Sequence, residues 1–443
     1  MAEYKKKQIK RKIKPKPAKK APVENRDIKM SRSRHEKKTE APQRKPQTRS
    51  KSRSLNMPKL NVIKGKKAVK NKNNFITISV IVIFVCIYLI ISAFHPVGML
   101  EYLSSCYAKI GHGKGYDLSL TGGETLNAIQ QSNYYYILSE NTVEAYNNGG
   151  KNIFSVTHGM SKPVLKTGDT RYLVYSQGEK TLKVHTFNGL HNTFTFDNSI
   201  LTANISKSGT FAVATKTEGY ESKVTVYNKR NKKIYEWFSS DETVISTCLS
   251  DNGKRLAVAT VKVENGAFVS KVYILKFNSA NPTQTYEFEG ELIYSLNIAV
   301  GNHIYAVLDK NIEFINMVNG NKKSQVTDYS VNIVKKMGNR IVAVKSLEAN
   351  KNETDIYLYS LTGELKANFK LERGVSDISV KNQRLHILTD SSIVITDKTG
   401  RILSEAKCSF DIKNIVALSD SSVAGISNNS LNKYLYDKTE AKK

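Results

Sequence analysis

The chain is poor in the residue types that most often carry chemistry. In 443 residues it has four cysteines, eight histidines and one tryptophan. Four cysteines cannot build the disulfide framework of a small exported domain, so any part outside the cell must be held by its core. Cys248 sits in an apolar strand pattern and reads as core, and Cys86 falls inside a long apolar run. Cys106 reads as a free thiol or a link between two copies, and Cys408 belongs to the same C-terminal part. The histidines (His35, His95, His112, His158, His185, His191, His303 and His386) show neither i,i+4 nor cysteine-paired metal spacing. A calcium loop, a Gly-x-Ser-x-Gly elbow and a phosphate loop are all missing. No catalytic residue, metal or cofactor is expected.

Acidic residues are scarce at one end only. Residues 1–74 hold 27 Lys and Arg against five Asp and Glu, so most of the formal charge of +29 lies there. This stretch has no hydrophobic periodicity and cannot bury enough apolar surface to offset chain entropy, which predicts a disordered basic tail over 1–73. Three readings stay open for it. The charge sets membrane topology; or it adheres to anionic lipid, with Lys64, Lys66, Lys67, Lys70 and Lys72 at the surface; or it binds nucleic acid or an acidic protein through counterion release. Apart from Tyr4 no aromatic is interleaved, so base recognition in nucleic acid is not indicated.

The next stretch is the opposite of the tail. Residues 75–94, FITISVIVIFVCIYLIISAF, carry no charge. A bilayer core about 30 Å thick needs roughly 20 apolar helical residues, so a single transmembrane helix is expected over 74–95. A cleaved signal peptide is the rival, with Ile91-Ser92-Ala93 as its site, but secretory apolar regions and their basic flanks are shorter. Lys59, Lys64, Lys66, Lys67, Lys70 and Lys72 precede the run, whereas Lys109 and Lys114 come after it with Glu101. That bias predicts a single-pass plasma-membrane protein with its N-terminus in the cytoplasm and its C-terminal part outside.

After a stalk over 96–115, expected to be helical or irregular, the pattern turns to short β-branched and aromatic runs between Gly, Asn and Asp turns. A unit of apolar run, tight turn and second run starts near residues 126, 163, 200, 244, 292, 331, 375 and 412. A period near 40 with four strands per unit predicts an all-β propeller over 116–438. The eighth unit has only three strands, and YDLSL at 116–120 has no local partner. Supplying the missing strand from there closes a ring of eight blades. Seven blades are the fallback if the first copy is misread, and a pair of β-sandwiches is the other reading.

SKSGTFAVAT (206–215) and SDNGKRLAVAT (250–260) resemble the Ser-Pro-Asp-Gly-Lys-x-Leu-Ala-Val-Ala segment of WD40-like repeats. LYSLTGELKANFKL (358–371) and ITDKTGRILSEAK (395–407) resemble the Thr-Gly turn of quinoprotein-like (PQQ-like) repeats. The layout is similar to single-pass bacterial membrane proteins with an extracytoplasmic propeller. The Trp-Asp dipeptide is absent, Trp237 is the sole tryptophan, and the adjacent cysteines of some quinoprotein dehydrogenases are missing.

Two further patterns bear on function. Glu287, Glu289 and Glu291 alternate like a glycosidase pair, but on an expected outermost strand, where a solvated acidic face is the simpler reading. Arg171, Arg255, Arg340 and Arg384 each come directly after the first turn of a unit. Repeat symmetry places them on one face, as a candidate ring for carboxylate or phosphate groups. The sequence therefore predicts a membrane-tethered, non-enzymatic interaction or ligand-binding module, whose outer partner is a protein or a wall polymer. An extracytoplasmic hydrolase or quinoprotein-like enzyme, or a sensor coupling an outer ligand to the tail, are the alternatives.

Overall fold

The computed structural model describes residues 72–94, 98–326, 331, 333–347, 350–382 and 384–436. Residues 1–71 of the basic tail, with Lys64, Lys66, Lys67 and Lys70, lie outside the described residues, and Lys72 begins the first helix.

Beyond residue 117 the chain forms eight four-stranded antiparallel sheets, the blades of an eight-bladed propeller. Their first strands are Thr125–Gln130, Pro163–Thr167, Ile200–Ile205, Thr243–Leu249, Ile293–Val300, Ile333–Met337, Asp377–Lys381 and Asn414–Ser419. These starts match the expected repeat within two residues. The eighth sheet takes its fourth strand from the other end of the domain: Leu118 pairs with Leu431, and Ser119 with Ser430. That pairing covers the edges which the last blade and the leading strand would otherwise expose.

The burial of each strand explains its composition. First strands of neighbouring blades pack together and form the innermost layer. Second strands such as Tyr134–Ser139 and Arg171–Ser176 are buried along their whole length, whereas fourth strands such as Asn152–Thr157 alternate with solvent. A sheet covered on both faces reads as a continuous apolar run, and one covered on one face alternates. Successive side chains serve opposite neighbours. In blade 1, Tyr134, Tyr136 and Leu138 pack with blade 2, while Tyr135 and Ile137 pack with blade 8. Eight apolar clusters result among the described residues, one at each blade interface. No blade owns a core, so each depends on its neighbours.

The inner strands present backbone N–H groups that no further strand can pair. Side chains from the preceding blade accept several of them. Ser222 Oγ accepts from Val244 N (2.9 Å), Asp377 Oδ2 from Ile415 N (3.0 Å), and Ser379 Oγ from Ala417 N (2.8 Å). A buried amide left without such an acceptor would cost about 1–3 kcal/mol. The Thr-Gly turns have an equally local cause. Gly363 holds φ +85°, and a Cβ there would stand 2.5 Å from the ring of Phe314 in the preceding blade. Only glycine allows both the turn and that approach.

Two helices precede the propeller. The helix α1 (Lys72–Phe94) has 23 residues, about 34 Å at 1.5 Å per residue. Its side chains described, those of 76–90, are exposed with Ser79 half-buried. Taken over the described residues alone, to which α1 contributes side chains only from 76 to 90, no helix is long and apolar enough to cross a membrane. Within the stalk, α2 (Met99–Lys109) is helical and lies against the propeller.

Candidate functional site

Antiparallel alternation puts the turns between first and second strands, and those between third and fourth strands, on one face of the disc. The helix α2 docks on that face, beside blades 1 to 3. Its C-terminal carbonyls, which helical geometry leaves unpaired, are bound by blade 1. Asn147 Nδ2 donates to Lys109 O (3.1 Å) and Gly111 O (2.7 Å), and Lys151 Nζ donates to Ile110 O (2.8 Å). The Lys109 ammonium stands 4.4 Å from the ring centroid of Tyr134 and 4.6 Å from that of Phe187. Burial holds the Lys109 amine below its usual range. At the other end, Glu101 meets Arg171 in a two-pronged ion pair, Nη2 to Oε1 at 2.7 Å and Nε to Oε2 at 3.1 Å. Lys229 O accepts from Nη1 of the same guanidinium. His191 Nδ1 lies 4.0 Å from Glu101, its own pKa lowered mainly by burial.

The four arginines expected to form a ring do each open, or stand at the start of, the second strand of a blade: Arg171–Ser176, Arg255–Glu264, Arg340–Leu347 and Arg384–Leu388. They share a face and differ in environment. Arg171 is buried and bound to Glu101. Arg384 is half-buried and donates from Nη1 to Asp420 O (3.0 Å). Arg340 is half-buried, and Arg255 lines an open cavity.

This cavity, of about 510 Å³, lies between blades 4 and 5. Lys254, Arg255 and Lys276 supply its charge, with Asn252, Asn278 and Asn302 around them and Phe277 in the wall. Phe277 packs on Tyr235 with centroids 5.4 Å apart, which fixes its ring. Arg255 and Lys276 face each other directly across the second and third strands of blade 4. Sequence reasoning missed this pair, though a signal was present. Asn265 (φ 52°) and Gly266 (φ 80°) form the two-residue turn of that hairpin. An Asn-Gly turn fixes register, and counting back from it sets Arg255 against Lys276.

A second group of cations collects toward the axis. Lys166, Lys336 and Lys381 stand at or next to the ends of the first strands of blades 2, 6 and 7, on the same face, and burial lowers the pKa of each. Lys207, in the first turn of blade 3, pairs with Asp251 at 3.0 Å, and Lys381 Nζ donates to Ser132 O. Cys248 is fully buried near this group, its thiol pushed up to about 12 by burial. Glu287 and Glu289 are exposed on the outermost strand Gln284–Glu289, with Glu287 paired to Lys271 (3.2 Å), while Glu291 accepts from Asn311 Nδ2. Among the described residues no group of three or more His, Cys, Asp or Glu is placed to hold a metal ion.

A family described as "Family of unknown function (DUF5711)" matches residues 107–434. The chain belongs to the DUF5711 family. The DUF5711 match opens inside α2 and closes in the third strand of blade 8, so it takes in the helix end bound by Asn147 and Lys151 together with all eight blades. Among solved structures, the crystal structure of BamB from Moraxella catarrhalis resembles this DUF5711 chain with a TM-score of 0.46 at 12% sequence identity, over 72% of this chain and 98% of that one. No curated protein matches the chain.

Proposed function

We propose that the chain is a membrane-anchored, non-enzymatic binding module: α1 crosses the bilayer, the basic tail stays on the cytoplasmic side, and the propeller is displayed outside the cell. The observation that carries this reading is the docking of α2. Only residues 95–98 separate α1 from α2, and α2 is bound to the propeller at both ends, by Asn147 and Lys151 and by Arg171. A helix anchored so close to the disc holds the α2-bearing face toward the bilayer and restricts its tilt. Phe75 to Phe94 supply the uncharged length that a span requires. The preceding lysines set the direction, and Lys64, Lys66, Lys67, Lys70 and Lys72 lie where anionic headgroups attract them. The four arginines, or those of them left open, contribute anion affinity on the same face. The outer partner is a protein or a wall polymer.

The thiols supply the test. Cys106 and Cys408 are half-buried, whereas Cys248 is buried. A membrane-impermeant maleimide added to intact cells should label the chain, and the label should vanish in a Cys106→Ala/Cys408→Ala variant. Labelling that appears only after permeabilisation, or release of the chain from membranes by alkaline carbonate, refutes the reading.

A further inference from the structure

The cavity between blades 4 and 5 is lined by three cations and by no acid. Arg255 and Lys276 are direct cross-strand partners, and like charges so placed destabilise a sheet. Blades 2 and 6 avoid this at the same register, where Arg171 faces Thr186 and Arg340 faces Ser360. In blade 7 the like-charged partners Lys381 and Arg384 are each relieved by a backbone carbonyl, Ser132 O accepting from Lys381 Nζ and Asp420 O from Arg384 Nη1. Lys254 adds a third cation at the adjoining turn, and no Asp or Glu lines the cavity. The nearest acid in sequence, Asp251, is already engaged: its Oδ2 accepts from Lys207 Nζ (3.0 Å) and Gly301 N (2.8 Å). Among the described residues no carboxylate pairs with Lys254, Arg255 or Lys276.

The neutral groups are equally directed. Asn252 Oδ1 accepts from Ser250 Oγ (2.9 Å) and Lys254 N (3.1 Å), which leaves its amide N–H groups as donors. Three cations and an amide donor on separate turns and strands suit a tetrahedral oxyanion, whose oxygens accept from several directions, better than a planar carboxylate. Asn278 and Asn302 add donors and acceptors of the kind that bind hydroxyl groups. The volume is within the range of small-ligand sites, roughly 300–1,000 Å³.

We infer that this cavity binds the phosphate of a phosphorylated polyol, a glycerol phosphate or sugar phosphate, either soluble or as the headgroup of an anionic lipid. The site belongs to the propeller alone, so it stands whether or not α1 crosses a membrane. Full-length protein in a non-ionic detergent provides the test, with glycerol 3-phosphate as the soluble probe and nanodiscs of phosphatidylglycerol as the lipid probe. Glycerol 3-phosphate should raise the thermal midpoint of the native chain, and titration calorimetry should show binding at least tenfold weaker in Arg255→Gln/Lys276→Gln. That variant, freed of its like-charge pair, should unfold at a temperature no lower than the native chain when no ligand is present. Lys398→Gln/Arg401→Gln, an equal loss of charge on the same face in blade 7, should bind as the native chain does. Binding to nanodiscs that glycerol 3-phosphate does not displace assigns the ligand to lipid, and displacement assigns it to a soluble ester. An equal response to acetate, an equal loss in the blade 7 variant, or no binding of either probe overturns the proposal.

Discussion

Acid should unfold this propeller through two histidines that the blades keep neutral. His185 lies flat against Tyr172, with centroids 5.0 Å apart, and His386 meets the Tyr436 ring edge-on at 5.9 Å. Both are almost wholly buried, and neither ring nitrogen of either residue has a hydrogen-bond partner within the described protein. Burial pushes each down to about 4. Nearby Lys183 and His158 add to the effect on His185, while at His386 Arg384 lowers and Asp420 raises the value. An unfolded histidine titrates near about 6.5, so between these two values the unfolded chain binds more protons than the folded one. Stability therefore is fully present above about pH 6.5, falls as the pH drops toward 4, and levels off below. At pH 5 the linkage amounts to about 2 kcal/mol for each histidine, about 4 for the pair, against a typical domain stability of about 5–15 kcal/mol. Urea unfolding of the full-length protein at pH 7 and pH 5 measures it. The variant His185→Phe/His386→Phe keeps both ring contacts and should lose most of this pH dependence. If native and variant proteins lose the same stability between pH 7 and 5, the two sites are not kept neutral by burial and the reasoning fails.

Replacing Glu101 by Ala leaves the buried Arg171 guanidinium without its carboxylate, which should cost about 3–5 kcal/mol of local stability and speed amide exchange across α2, measured by mass spectrometry. Exchange that stays slow in α2 would mean that the helix is held without this ion pair. Leu120, just past the closing strand, is buried with Tyr135, Ile137 and Leu431, so Leu120→Ala should lower unfolding stability by about 2–4 kcal/mol. In the same urea titration the exposed Leu126→Ala control should change it by no more than about 0.5 kcal/mol.

The propeller was legible in the sequence because its signals are local and repeated. Each blade announces itself by two apolar runs around a Gly or Asn turn, and eight copies average out the irregular ones, such as the first strand Thr125–Gln130 with its exposed Leu126 and Asn127. The closing strand was legible for a different reason. A three-stranded last unit and an unpaired YDLSL at the start are each costly alone, and one pairing, Leu118 with Leu431, removes both costs.

The candidate site was legible only in part, and the reason is the range of the contacts that make it. The position of an arginine within a blade is set by the repeat, so the shared face of Arg171, Arg255, Arg340 and Arg384 could be read. The partner of each depends on residues far along the chain. Glu101 is 70 residues from Arg171, and on the sequence it is one acid among the charges flanking an apolar run. That long-range pair converts one member of a symmetric ring into a fastening for α2. Arg255 differs because a short-range rule, the Asn265-Gly266 turn, sets it against Lys276. Symmetry therefore places these four cations, and departures from symmetry set their surroundings: a carboxylate reaches Arg171 and makes it structural, whereas Arg255 meets a second cation and no acid, the difference on which the proposed anion site rests.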